Sequence, residues 1–212
     1  MGLLSRRTPR PELPSAVTKA LDLAKGERVL AFAVDDNTGV YVVATTYALV
    51  VMRSAIVGSV IAGSVTVGSA IAGSAIAGSA VVGSAVGGSE EAERTMRRRW
   101  LSVDAGAWEP ETATLTVTWA DGRRAGQWSF RDQPTLLPET VRERVQASVV
   151  LSTRLTLGDR RSGRVAIRQD FATRELIPQT ILGRYSRADD PEVQAHVQAA
   201  LAHLRDQVGL PA

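Results

Sequence analysis

The chain has 212 residues, 25 Lys and Arg against 22 Asp and Glu, a formal charge of +3 and no cysteine. Disulfides and thiolate metal sites are excluded, and neither end carries the run of like charge that marks a nucleic-acid-binding tail. The length fits one domain with an appendage, and the excess of arginine over lysine (only Lys19 and Lys25) follows from GC-rich coding without any nucleic-acid partner.

Residues 1–26, with Pro9, Pro11 and Pro14, read as an extended leader. Its apolar stretch is too short for a secretory signal, and a cysteine-free chain suits a reducing cytoplasm. Residues 27–53 read as a three-stranded meander. ERVLAFAV meets the turn cluster Asp35-Asp36-Asn37-Thr38-Gly39, and VYVVAT turns at Thr45-Thr46 into YALVVMR. Valine, tyrosine and threonine favour a pleated, half-buried surface.

Residues 54–88 are seven five-residue units, SAIVG, SVIAG, SVTVG, SAIAG, SAIAG, SAVVG and SAVGG. No unit is charged, so the segment lacks the polarity that keeps disordered chains in water. A β-coil or extended strand, a helix packed in protein or membrane, and a structureless excursion all remain open. Because complete strands flank residues 54–89, the repeat reads as an insertion.

After the insertion, RRRWLSVDAGAW (97–108) reads as one strand bent at Ala105-Gly106. In TLTVTWA, Leu115, Val117 and Trp119 alternate with threonines, Asp121-Gly122 supplies a tight turn, and AGQWSF returns with Trp128 and Phe130 on one face. A two-residue turn sets Ala120 opposite Arg123. Residues 135–148 have helical spacing at Leu137, Val141 and Val145, with Pro138 in the first turn. A second hairpin follows, with Leu151, Leu155 and Leu157 on one strand and Val165 and Ile167 inward on the other. Asp189 or Asp190 caps a terminal helix over 189–209, opened by Pro191 and stopped at Gly209, with a stripe of Val193, Val197, Leu201 and Leu204.

The fold class is therefore α+β. Two meanders, with Trp100, Trp108, Trp119 and Trp128 spaced along the second, then an amphipathic helix, resemble the pleckstrin-homology-like (PH-like) barrel. More narrowly they resemble small PH-like proteins of actinobacteria, which carry stretches similar to RRRWLSVDAGAWEPETATLTVTWADG. The resemblance covers residues 27–150. It implies an antiparallel barrel or sandwich formed by 27–53 and 90–188, with a helix after the sixth strand, an extra hairpin and the terminal helix. Inositol-phosphate-binding PH domains resemble one another in a basic first loop, and the matching loop here is acidic.

No residues stand in a catalytic, cofactor-binding or metal-ligating pattern. His196 and His203 fall outside the apolar stripe of their helix and read as exposed. Asp35 and Asp36 read as turn chemistry, and the four tryptophans as core. Arg97, Arg98 and Arg99 form the most basic run, either a solvated strand edge or a contact for an anionic partner, with Arg97 and Arg99 on one face and Arg98 and Trp100 on the other. The expectation is a non-enzymatic binding or scaffolding module without a cofactor, engaging protein partners or its own copies and not nucleic acid. The alternative is a membrane-associated protein anchored by residues 54–89.

Overall fold

The structure, a computed structural model, describes residues 12–53, 95–158 and 160–210. The repeat and the first eleven residues of the leader lie outside them. Within the described residues the chain is α+β, and its strands form three antiparallel sheets with no closed barrel.

The first sheet has the order β1-β2-β3-β4, from Val29–Val34, Tyr41–Thr45, Ala48–Met52 and Met96–Arg99. The meander thus gains a fourth strand from beyond the insertion. Val51 lies opposite Met96 and Ala48 opposite Arg99, so residues 54–94 interrupt a hairpin whose two arms are already paired. Ala31, Ala33, Val42, Ala44 and Leu49 enter the main core, while Val43, Val50 and Met52 enter a second core on the opposite face. Burial on both faces explains why this stretch is almost continuously apolar instead of alternating. The second core is covered by α1 (Ser15–Ala20), which buries Val17 and, just beyond it, Leu21. The leader is therefore helical over this turn rather than extended throughout.

The second sheet has the order β5-β6-β7, from Val103–Glu109, Thr114–Trp119 and Gly126–Ser129. Residues 97–108 are not one bent strand. A single 3-10 turn at Trp100–Ser102 separates β4 from β5 and carries the chain from one sheet to the next. Trp100 fixes that turn: it is 1% exposed, and its indole N–H donates to the Thr45 carbonyl at 2.9 Å. The expected bend at Ala105-Gly106 is absent. The β5–β6 register instead shifts between Val103 and Ala105, and Gly106 has a different purpose. A Cβ there would stand 2.7 Å from Val141 of α2 (Leu137–Ser148), so only glycine lets the helix approach so closely. Because of the 3-10 break, α2 follows the seventh strand and not the sixth.

The β6–β7 ladder pairs Leu115 with Trp128 and Val117 with Gly126. That is the register the Ala120–Arg123 turn sets, with Gly122 at φ +71°. Trp100, Trp119, Trp128 and Phe130 are buried in the main core with Leu137, Val141 and Val145 of α2. Trp108 is the exception among the tryptophans: it is 37% exposed and stacks on Phe130 at 6.4 Å between ring centroids.

The third sheet has the order β10-β9-β8, from Leu176–Leu182, Ser162–Gln169 and Val149–Thr156. The expected extra hairpin is thus three strands. Pro178 obscures β10 in the sequence, yet proline is tolerated on an edge strand, which β10 is. Leu155, Val165 and Ile167 pack against Val193, Leu201 and Leu204 of α3 (Pro191–Gln207). Asp190 caps this helix by accepting from the Glu192 N–H at 2.9 Å, and Gly209 beyond its end has φ +68°.

Trp119 is 6% exposed in the main core, with the Arg98 guanidinium 4.7 Å from its ring centroid. Trp119→Ala is expected to lower unfolding free energy by about 3–5 kcal/mol, read as a urea midpoint. An unchanged midpoint would remove Trp119 from the core.

Candidate functional site

The basic run lies on β4, whose alternation turns Arg97 and Arg99 outward and Arg98 inward. Each guanidinium meets a carboxylate from a different part of the chain. Arg97 pairs with Glu27 and also donates to the Leu21 carbonyl at 3.2 Å. Arg98 pairs with Asp121 at 2.8 Å, and Arg99 with Asp170 at 2.6 Å. The Glu27 and Asp170 side chains are fully buried, so Arg97 and Arg99 balance charges that would be costly to leave alone. The Arg99 side chain is still 61% exposed. The hydrogen bond from Arg98 holds the exposed Asp121 carboxyl below the ordinary carboxylate range, opposed by partial desolvation. Its stabilisation is therefore present above the usual carboxylate pKa and fades as pH falls through the lower folded value.

The acidic turn after β1 is also committed to structure. Asp35 is 2% exposed. One of its carboxylate oxygens accepts from the Thr38 N–H at 3.0 Å and the Thr38 hydroxyl at 2.5 Å, and the other from the Ser129 N–H at 2.8 Å. Asp36 accepts from the Arg131 N–H at 2.7 Å, and its own N–H donates to the Ser129 carbonyl at 2.9 Å. The two carboxylates thus serve separate donors and tie the first sheet to the end of β7. The turn reading of these residues agrees with this geometry, and the sheet-to-sheet bond adds to it.

Glu27 follows the same pattern. It accepts from the Thr45 hydroxyl at 2.5 Å and the Ala24 N–H at 3.0 Å, besides Arg97. His196 and His203 are exposed on α3. His196 donates to the Glu192 carbonyl at 2.8 Å, and His203 accepts from Gln207 at 3.1 Å. Among the described residues no group of three His, Cys, Asp or Glu could hold a metal. Among them, too, no helix is long and apolar enough to cross a membrane.

A cleft of about 440 Å³ lies beside β1, walled by Leu13 and Thr18 of the leader, Val29 and Phe32 of the strand, and Thr135 and Leu136 ahead of α2. Along this side of β1 the Gln133 side-chain amide bonds both the N–H and the carbonyl of Val34, at 2.8 and 2.5 Å. The Thr135 hydroxyl donates to the Phe32 carbonyl at 2.9 Å. Polar side chains thus imitate a neighbouring strand, which blunts an otherwise adhesive edge.

Sequence reasoning missed Arg168, the most heavily bonded side chain of the described residues. It is 1% exposed, and its guanidinium donates to the carbonyls of Trp100 at 2.9 Å, Leu101 at 3.0 Å and Val103 at 2.7 Å, and to the Ser148 hydroxyl. Burial draws its pKa down to about 10, with Arg164 acting in the same direction and Asp104 opposing it; at neutral pH it carries its charge. In sequence it alternates with Val165 and Ile167 and so reads as solvent-facing. No signal in the chain marks it otherwise.

Comparison with protein-family models, with curated proteins and with solved structures finds no match to this chain.

Asp35→Ala leaves the Ser129 and Thr38 N–H groups without their acceptor and is expected to cost about 2–4 kcal/mol. Asp36→Ala, at a more exposed turn position, is expected to cost less. Urea midpoints for both variants measure this; equal, small losses would show that Asp35 does not join the sheets.

Proposed function

We propose that the chain is a non-enzymatic, PH-like binding and scaffolding module that engages protein partners, including further copies of itself through residues 54–88. The observation that carries the reading is the saturation of its buried carboxylates. Glu27, Asp35 and Asp170 each accept from two or more donors of the chain itself. A general acid or base needs a free position toward its substrate, whereas a scaffold needs rigid surfaces, and these bonds supply rigidity.

The PH-like part of the reading is supported by the succession of a four-stranded sheet, a three-stranded sheet and then α2. It is also supported by the buried tryptophans of β6 and β7. The third sheet and α3 would be an addition to that plan. The position of the insertion favours an interaction role: in the sequence it falls between two strands that pair with each other through their own residues.

The test is deletion of residues 54–88. The remaining chain is expected to unfold cooperatively, since shortening the loop between β3 and β4 from 43 to 8 residues changes closure entropy by only about 1.5 kcal/mol. Sedimentation or light scattering is expected to show the full chain self-associating and the deletion variant monomeric. Equal masses for the two would contradict association through the repeat. Carbonate-resistant membrane retention, abolished by the same deletion, would contradict the scaffold reading in favour of a membrane anchor.

A further inference from the structure

The face of the third sheet turned away from α3 carries a charge conflict that the described residues do not resolve. Arg154 of β8 lies directly opposite Arg164 of β9 in the antiparallel register. Directly opposed side chains have Cβ atoms roughly 4.5–5.5 Å apart, and like charges at that separation destabilise the pair. Four residues further along β9, and on the same face, stands the buried cation of Arg168.

Among the described residues one carboxylate pairs with an arginine of this cleft. Asp104, from the irregular start of β5, pairs with Arg164. It also contributes to the wall of a cleft of about 520 Å³ that contains Arg154, Arg164, Ser162 and Ile181. Arg154 is exposed and has no carboxylate partner among the described residues. The Ser162 backbone is held by Ser186, whose hydroxyl bonds both its N–H and its carbonyl, at 3.0 and 2.7 Å. Its own hydroxyl, at the cleft, makes no hydrogen bond among the described residues. The face thus combines an uncompensated guanidinium, a second guanidinium with one donor edge engaged, a free hydroxyl and a concavity within the usual size range of ligand sites.

We propose that this cleft is an anion site for a phosphoryl group, seated between Arg154 and Arg164 with the Ser162 hydroxyl as a further donor. A tetrahedral dianion supplies the missing negative charge and accepts from both planar guanidinium forks, a geometry that favours arginine over lysine. Asp104 disfavours a bulky anion on the β5 side and leaves the Arg154 side as the entrance. The proposed site uses no residue of β4 or of the repeat, so it stands or falls independently of the scaffold reading.

The experiment uses the full chain with inorganic phosphate as the probe and sodium chloride at matched ionic strength as the control. Phosphate is expected to raise the thermal midpoint of the parent protein. Arg154→Gln is expected to weaken phosphate binding by about tenfold or more, the scale of one lost charge-assisted hydrogen bond. Without phosphate, at low salt, the same variant is expected to melt at or above the parent midpoint, because a like-charge contact is relieved. Arg154→Lys keeps the charge and is expected to bind phosphate more weakly than the parent but better than Arg154→Gln. Vesicles containing phosphatidic acid, compared with phosphatidylcholine alone, separate the sources. Retention on the former that is lost in Arg154→Gln, with no response to free phosphate, assigns the group to a lipid headgroup. A response to free phosphate assigns it to a soluble anion. The proposal is overturned if phosphate stabilises Arg154→Gln as much as the parent, or if neither phosphate nor phosphatidic acid vesicles respond. It is also overturned if Arg154→Gln melts below the parent in phosphate-free buffer.

Discussion

The arrangement of the three sheets depends on one buried guanidinium. Arg168 stands on β9, with its donors spread over Trp100, Leu101 and Val103 at the 3-10 turn and over Ser148 at the end of α2. Among the described residues no carboxylate pairs with it, so the desolvation cost of the charge is offset by carbonyl dipoles and a hydroxyl instead of a counterion. The benefit is mutual. A chain that leaves one sheet at Arg99 and enters another at Val103 turns its carbonyls away from both ladders, and buried carbonyls need donors. Arg168 supplies them from a third sheet, and the Gln179 amide of β10 adds a further bond to Leu101 at 2.9 Å. The ion pairs of Arg164 with Asp104 and of Asp170 with Arg99 lie on either side. Five charged side chains, Arg168 and the two ion pairs, thus join β9 and its following turn to the β4–β5 junction.

This junction marks the limit of what the residues reveal on their own. The β6–β7 hairpin, α2 and α3 are legible because each is decided locally. Asp121-Gly122 sets a turn, Pro138 and Pro191 open helices, and apolar spacing selects the buried face. The break at Trp100–Ser102 is decided by Arg168, some 65 residues away in the chain, so RRRWLSVDAGAW reads as one strand until that partner is known. Arg168 is hidden for the complementary reason. Alternation predicts that residues flanking Val165 and Ile167 face solvent, and it fails where the second face of the sheet is also covered. Pro178 in β10 and the exposed Trp108 are smaller cases, in which edge position rather than residue type decides the outcome.

The basic run at Arg97, Arg98 and Arg99 illustrates the same principle for function. Three consecutive arginines in a sequence suggest an external acidic partner, yet each finds an acidic group within the chain. Among the strand arginines of the described residues, Arg154 is the one whose side chain makes no ion pair or hydrogen bond, and nothing in the sequence distinguishes it from the others. Net charge alone did not locate it. Cross-strand register did.

The role of Arg168 is tested most directly by the equilibrium unfolding of Arg168→Met, with Arg168→Lys beside it. Methionine fills similar volume but removes the donors from the Trp100 and Val103 carbonyls, and a loss of about 3–5 kcal/mol is predicted. Lysine retains the charge without the planar fork and is predicted to recover only a small part of that loss. A midpoint for Arg168→Met equal to or above that of the parent protein would contradict the role, because the junction between the sheets would then stand on apolar packing alone.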